Sequence, residues 1–184
     1  RNFRDWLGFT RKDLRFVGAS LEHGEATRSY EEFFVGDIET TRPRFSLTPK
    51  FAIASQFIEH MRDPKGFLVW LHGLLPTGGA VYIDWPAQHT TRLPSCLELA
   101  RHGYSAFTLN FHDDDTHTRA YGSDELIAML TEAGFRIRAG GLISQPYLAE
   151  SLKHHGIAKK DKYVLTMALW LKTRFVAHLS AEKT

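Results

Sequence analysis

Histidines and acidic residues occur at two places in the sequence where they could move a proton. Glu59-His60 follows an apolar run, and residues 110–117 read Asn-Phe-His-Asp-Asp-Asp-Thr-His, including His112 and His117. Imidazole changes protonation near neutral pH, so a histidine beside a bound hydroxyl or amine can accept its proton. We therefore take these three histidines as candidate catalytic residues. The alternatives are a capping or packing role for His60 and a solvated loop for residues 110–117.

The same segment, residues 110–117, offers imidazole and carboxylate groups that zinc and related ions use as ligands. Adjacent ligands in a flexible loop rarely converge on one ion without support from elsewhere. Zinc sites also usually space their ligands by two to four residues. We therefore expect no metal site.

The composition indicates one globular domain of 184 residues, long enough for an ordinary core. With 43% hydrophobic and 24% charged residues, the chain is not of the disordered class. The net charge of +2 is close to balance, so we expect no nucleic-acid partner. No apolar stretch approaches the roughly 18 residues of a membrane span. The lone Cys96 cannot form an internal disulfide, and with no signal-peptide pattern we expect a cytoplasmic protein.

Apolar runs alternate with helical spacings along the chain. Strands are predicted at residues 15–21, 32–35, 51–57, 80–84, 135–139 and 163–173. Helices are predicted at residues 63–75, with Asp63-Pro64 at its start, from a Ser123 cap to Gly134, and as a short piece near residues 147–155. This alternation predicts an α/β fold with a mostly parallel sheet, covered on both faces, whose ligands bind beyond the carboxyl ends of the strands.

The order of motifs between residues 45 and 86 is specific. An apolar strand leads to Ile-Glu-His-Met-Arg-Asp-Pro, then to a helix, Leu-Pro-Thr-Gly-Gly at residues 75–79 and a second apolar strand. This order resembles that of small-molecule class I S-adenosylmethionine-dependent methyltransferases, and the resemblance extends over roughly residues 14–173. It implies a Rossmann-like fold with an antiparallel last strand, residues 163–173 beside 135–139. The glycine-rich loop that normally opens this domain is not found, so we expect a class I fold without its N-terminal part, either by truncation or by true loss of the loop.

The resemblance also implies contacts to the cofactor, S-adenosylmethionine. Ser20 stands where the family usually places an acid on the ribose hydroxyls, and the nearest acid is Glu22. Asp37 corresponds to the acceptor for the adenine amino group, which needs a partner once it is buried, and Ile38 to the side chain that covers the ring. For Asp37 the alternative is an ordinary Gly-Asp turn.

Gln56 and Phe57 correspond to the region that lines the methionine half of the cofactor and faces the substrate. This region lacks the Asn-Pro-Pro-Tyr pattern of resembling enzymes that methylate nucleic-acid bases. We expect a single domain, residues 1–184, in which an insertion at residues 85–122 covers the substrate with aromatic side chains and excludes water.

The function implied by the resemblance is methyl transfer to an oxygen, nitrogen or carbon of a small molecule, and a homodimer is compatible with the sequence. The alternative from another class is a catalytically inactive methyltransferase-like binding module, which the absent glycine-rich loop and Ser20 favour. A nicotinamide-dependent enzyme is disfavoured because no Gly-x-Gly-x-x-Gly pattern is present.

Overall fold

Six strands and five α-helices lie along residues 13–22 and 30–184, the part of the chain that the computed structural model describes. The strands are β1 (Val17–Ser20), β2 (Glu32–Val35), β3 (Phe51–Ser55), β4 (Ala80–Pro86), β5 (Phe135–Leu142) and β6 (Val176–Lys183). The helices are α1 (Pro64–Leu74), α2 (Cys96–Arg101), α3 (Ser123–Glu132), α4 (Pro146–Lys159) and α5 (Lys162–Thr173). Short 3-10 turns lie at Ile58–His60, Gln88–Arg92 and Phe111–Asp113.

The strands form two sheets. β1 and β2 pair in parallel, and a separate four-stranded sheet has the order β3-β4-β6-β5. β3 runs parallel to β4, whereas β6 lies between β4 and β5 and is antiparallel to both. Parallel strands joined through a helix and an antiparallel last strand confirm the predicted class I architecture. Within the described residues, β3 has β4 as its only strand partner.

The main core lies on one face of the four-stranded sheet. Val81 and Ile83 alternate along β4 toward this face, where they meet Leu68 of α1 and Leu130 of α3. The helix α1 begins as predicted, because the Asp63 carboxylate accepts the Gly66 N–H and Pro64 occupies the first turn. The result is a helix-covered sheet whose strand ends remain available for a site.

The prediction of a strand at residues 163–173 is wrong, because these residues form the helix α5. Asp161 caps its first turn by accepting the Val164 N–H, and the buried Leu165 and Ala168 follow at helical spacing. Arg174 ends the helix in the left-handed conformation, with φ of 56°. The antiparallel last strand is therefore residues 176–183, inserted beside β5 as the resemblance implied, but formed from the residues that follow.

Two other helix boundaries differ from the predictions. Ser123 is the first residue of α3 rather than its cap, which is Gly122, whereas the predicted stop at Gly134 is observed with φ of 97°. The piece predicted near residues 147–155 is part of the longer α4, which packs closely against α5. Across residues 13–22 and 30–184, none of the helices combines the length and apolar character needed to cross a membrane.

The packing of α1 gives a direct test of this core. Leu68→Ala should lower the free energy of unfolding by about 2–5 kcal/mol, because Leu68 is fully buried and its loss leaves a cavity. The neighbouring Val69 is 59% exposed, so Val69→Ala should change the free energy of unfolding by no more than about 0.5 kcal/mol. Urea unfolding of both variants measures this difference, and equal losses would contradict the assigned helix face.

Candidate active site

The turn that follows β3 is fixed by the carboxylate of Asp84, near the end of the adjacent strand β4. One oxygen, Asp84 Oδ1, accepts hydrogen bonds from the Ser55 hydroxyl (3.0 Å), the Gln56 backbone N–H (3.1 Å) and the Gln56 side-chain amide (2.8 Å). Gln56 has a left-handed backbone, with φ of 47°. The strand therefore ends sharply at Ser55, and the chain turns across the carboxyl edge of the sheet.

Glu59 lies in the 3-10 turn after this bend and is completely buried. Its backbone carbonyl accepts the Thr118 N–H and the Thr118 hydroxyl, both at 2.8 Å. The segment that contains His117 is thus attached directly to the turn that contains His60. The two regions form one site although Glu59 and Thr118 are 59 residues apart in sequence.

The Glu59 carboxylate is an unusual feature of this site. Neither of its oxygens has a hydrogen-bond partner among residues 13–22 and 30–184. Burial raises the pKa of Glu59 to about 8, with smaller contributions in the same direction from the negative charges of Asp84 and Asp114. Among the described residues, the side chains near this carboxylate that can carry a positive charge are the imidazoles of His60 and His117.

His117 presents one ring nitrogen to this carboxylate. Its Nδ1 lies 2.6 Å from the Phe111 carbonyl oxygen, and its Nε2 lies 3.9 Å from Glu59 Oε1. A carbonyl can only accept, so Nδ1 carries the proton and Nε2 of the neutral ring has a free lone pair. The ring is almost buried against Phe111, with 4.6 Å between centroids.

His60 has the same arrangement. The Thr116 hydroxyl donates to Asp114 Oδ1 and lies 2.9 Å from His60 Nδ1, so it accepts the Nδ1 proton. His60 Nε2 is then free and lies 3.9 Å from Glu59 Oε1. The His60 and His117 rings are 4.8 Å apart, and the His60 side chain, 30% exposed, forms the open side of the cluster.

Glu59, His60 and His117 therefore form a cluster of one carboxylate and two imidazoles, which we call the Glu-His-His cluster. One ligand atom from each residue lies within 4.8 Å of the other two. Such groups can hold an acceptor hydroxyl, receive its proton or bind a metal ion.

His112 is not brought into the cluster. Its exposed ring packs edge-on against Phe111, while its backbone N–H is held by Asn110 Oδ1. The neighbouring Asp113 carboxylate accepts the N–H groups of Cys96, Leu109 and Asn110. These contacts shape the loop, and a catalytic role for His112 stays a prediction.

The helix α5 supports the loop from outside. The Thr166 hydroxyl accepts the Phe107 N–H at 2.9 Å, and the Trp170 indole N–H donates to the Thr108 carbonyl at 2.8 Å. Lys162 Nζ lies 4.4 Å from the centre of the Phe107 ring. Part of the segment at residues 85–122 is therefore fixed to a helix that lies far away in sequence.

The predicted adenine-contacting residues lie at the end of β2. Asp37 Oδ1 accepts the Glu39 N–H at 2.8 Å in a tight turn, and the Asp37 side chain is exposed. Ile38 is largely buried and packs in the core. Glu39 Oε1 accepts the N–H groups of Arg62 and Asp63 at 2.8 Å, so this turn is joined to the chain just beyond His60.

The other predicted cofactor contacts are less concentrated. Ser20 and Glu22 are exposed at the end of β1, where the Ser20 hydroxyl accepts the Glu22 N–H at 3.4 Å. The Gln56 amide bonds to Asp84, and Phe57 packs against Phe67 of α1. Contact of these residues with a cofactor stays a prediction.

The sequence profile of a methyltransferase domain family matches residues 10–139 of the chain. The chain belongs to this methyltransferase domain family. The methyltransferase fold is thus established by sequence as well as by strand order. No curated protein matches the chain in sequence.

Solved structures with this fold are distant in sequence. An S-adenosylmethionine-dependent methyltransferase from Mesorhizobium loti is 11% identical, with a TM-score of 0.61 over 92% of this chain and 80% of that chain. The 1,6-didemethyltoxoflavin N1-methyltransferase of Burkholderia thailandensis, with bound 1,6-didemethyltoxoflavin and S-adenosylhomocysteine, is 15% identical, with a TM-score of 0.57 over 99% of this chain and 67% of that one. The [4+2]-cyclase SpnF is 18% identical, with a TM-score of 0.54 over 92% and 67%.

Sequence reasoning missed Glu59, Asp114 and Thr116 as members of the site. In the sequence, Glu59 stands out only as the neighbour of His60, and the other two only as members of a polar loop. The only local signal is that Glu59 directly follows the apolar residues Phe57 and Ile58, and this signal is weak because an unpaired glutamate is almost never fully buried. Its convergence with the later loop depends on the tertiary fold.

The raised pKa of Glu59 predicts how stability depends on pH. Below about pH 4.5, the Glu59 carboxyl is protonated in both the folded and the unfolded chain. Between about pH 4.5 and pH 8 it ionises only in the unfolded chain, so the free energy of unfolding should fall as the pH rises through this range. Glu59→Gln should remove the contribution of Glu59 to this pH dependence. Urea unfolding at pH 5.5 and pH 8.5, with EDTA present, measures the free energy of unfolding of each variant. The control is Glu132→Gln, at an exposed carboxylate of α3, which should keep the pH dependence of the wild type. Parallel curves for the wild type and Glu59→Gln would contradict a buried, protonated Glu59.

Proposed function

We propose that this protein transfers a methyl group from S-adenosylmethionine to a small-molecule acceptor bound at the Glu-His-His cluster. The observation that carries the proposal is the convergence of proton-accepting groups at the carboxyl edge of β3, the edge where ligands bind in open α/β sheets. The activated sulfonium of this cofactor requires mainly alignment of donor and acceptor and removal of a proton.

The residues present fit part of a nucleoside site. The exposed carboxylate of Asp37 is available to accept a hydrogen bond from an amino group, and Glu39 ties its turn to the chain beyond His60. Among the residues that the structure describes, β1–β2 and β3–β4 do not pair with each other, and the sequence has no glycine-rich loop. On this proposal, the chain contributes the adenine side of the site through Asp37 and the substrate side through the Glu-His-His cluster.

Each residue of the cluster has a definite task in the proposed reaction. The Nε2 lone pairs of His60 and His117 accept hydrogen bonds from the hydroxyl or amine of the substrate. The proton that this group loses on methylation passes to the cluster. Thr116 and the Phe111 carbonyl hold the two rings in the required tautomer. Thr118 holds the turn that contains Glu59, and the buried Phe111 excludes water from one side.

A small acceptor is favoured over a macromolecule by the enclosure of this site. Glu59 is fully buried, His117 is almost buried, and the opening lies at the partly exposed His60. The near-balanced charge and the absence of the Asn-Pro-Pro-Tyr pattern also argue against nucleic-acid bases.

The second candidate is a methyltransferase-like binding module without activity. It is favoured by the separation of the two sheets and by Ser20 at the ribose position. The fold alone does not decide between the two functions, since the [4+2]-cyclase SpnF shares it.

Asp37→Asn tests cofactor binding selectively. The variant keeps one oxygen for the turn with Glu39 but can present an amide donor to the adenine amino group. Because two donors would then face each other, the affinity for S-adenosylmethionine should fall about tenfold or more, measured by calorimetric titration. Asp124→Asn, at an exposed carboxylate of α3, should bind like the wild type. Wild-type protein that binds no cofactor at millimolar concentration would instead support the binding module.

A further inference from the structure

The Glu-His-His cluster has the composition of a metal site. It offers Glu59 Oε1 and the Nε2 atoms of His60 and His117, with Asp114 Oδ2 a further 3.9 Å from His117 Nε2. Two imidazoles and one carboxylate are a donor set that first-row divalent transition metals favour, and three protein ligands leave positions for water or substrate.

The spacing of these atoms suits an ion between them. Both Nε2 atoms lie 3.9 Å from Glu59 Oε1, and one ligand atom from each of the three residues lies within 4.8 Å of the other two. A point equidistant from three atoms with this spacing is about 2.5 Å from each, close to the usual bond lengths of about 2.0–2.2 Å. An inward movement of a few tenths of an ångström at each side chain would complete the coordination.

The surrounding hydrogen bonds aim the lone pairs inward. A metal-binding histidine commonly donates its other ring N–H to a carbonyl or to a carboxylate-linked group. His117 Nδ1 does this toward the Phe111 carbonyl, and His60 Nδ1 toward the Thr116 hydroxyl, which is itself bonded to Asp114. Both rings are therefore fixed with the metal-binding nitrogen facing Glu59.

In its ionised form, the Glu59 carboxylate would lack what a buried anion requires. It is fully buried, its oxygens accept no hydrogen bond, and no lysine or arginine of the described chain forms an ion pair with it. A buried carboxylate without a partner is costly, and a divalent cation supplies both charge compensation and ligation. The apolar residues around it, among them Ile58 and Phe111, would shield the ion from bulk water.

We propose that Glu59, His60 and His117 bind one divalent first-row transition-metal ion, with Asp114 as a fourth ligand or a hydrogen-bond partner of a bound water. From the sequence we expect no metal site, because residues 110–117 alone would not converge on one ion. The proposed ligands instead come from two segments of the chain.

The ion would also define the class of acceptor, and this part rests on the proposed function. With a metal bound, His60 and His117 would serve as ligands and not as hydrogen-bond acceptors for the substrate. The ion would acidify a substrate hydroxyl at an open position, and the proton would leave to solvent through the opening at His60. Acceptors that carry a phenolic or enolic hydroxyl, or two adjacent hydroxyl groups, fit such a site best.

Titration of the metal-free full chain with Zn²⁺ by calorimetry, and with Co²⁺ by visible absorption, tests the binding itself. The wild type should bind one ion per chain, and Glu59→Gln and His117→Ala should each weaken binding at least about tenfold. His102→Ala is the matched control, since His102 is an exposed histidine after α2, and it should bind like the wild type. Circular dichroism checks folding, and His60→Ala, at the partly exposed ligand, replaces any variant that does not fold.

Two results would overturn the proposal: no saturable binding of either ion by the wild type, or equal affinities for the wild type, Glu59→Gln and His117→Ala. These results are independent of methyl transfer. Metal binding without cofactor binding would leave the site in place and reject the proposed function. Cofactor binding and methyl transfer by a wild type that binds neither ion would reject the site and keep the function.

Discussion

The parallel pairing of β3 with β4 is the constraint on which the site depends. Its register places Ser55 beside Asp84, so that one carboxylate can hold the bend at Gln56. This bend carries the chain across the edge of the sheet and leads it into the 3-10 turn that contains Glu59. Without the Asp84 contacts, nothing in the local sequence would require Gln56 to adopt a left-handed backbone.

The second half of the site depends on contacts distant in sequence. Thr118 donates a hydrogen bond to the Glu59 carbonyl, and the indole N–H of the buried Trp85 donates to the Tyr121 carbonyl. These two hydrogen bonds fix the C-terminal end of the segment at residues 85–122 to the turn after β3 and to β4. From the other side, α5 holds Phe107 and Thr108. The polar segment at residues 110–117 is therefore held between the sheet and a helix, which explains why the imidazole of His117 has a fixed orientation.

Much of the fold was predictable because its signals are local. The cap at Asp63, the glycine stop at Gly134 and the apolar strands bracketing α1 follow from residue types within one element. Residues 163–173 were misread because an apolar run does not by itself distinguish a buried strand from a helix, and the cap at Asp161 was the deciding feature. The site was predictable only as single histidines. Their pairing around Glu59 comes from tertiary contacts over almost sixty residues, which no spacing rule records.

The geometry makes the buried carboxylate of Glu59 the common neighbour of two imidazoles, and the function of the site depends on what occupies the space between them. Crystals grown with Co²⁺ and S-adenosylhomocysteine, measured at the cobalt absorption edge, test this most directly. We predict one strong anomalous peak within bonding distance of Glu59 and of the Nε2 atoms of His60 and His117, on the side of the cluster that opens at His60. A peak only at other histidines, or no peak with the Glu59 carboxylate turned away from both rings, would contradict the account.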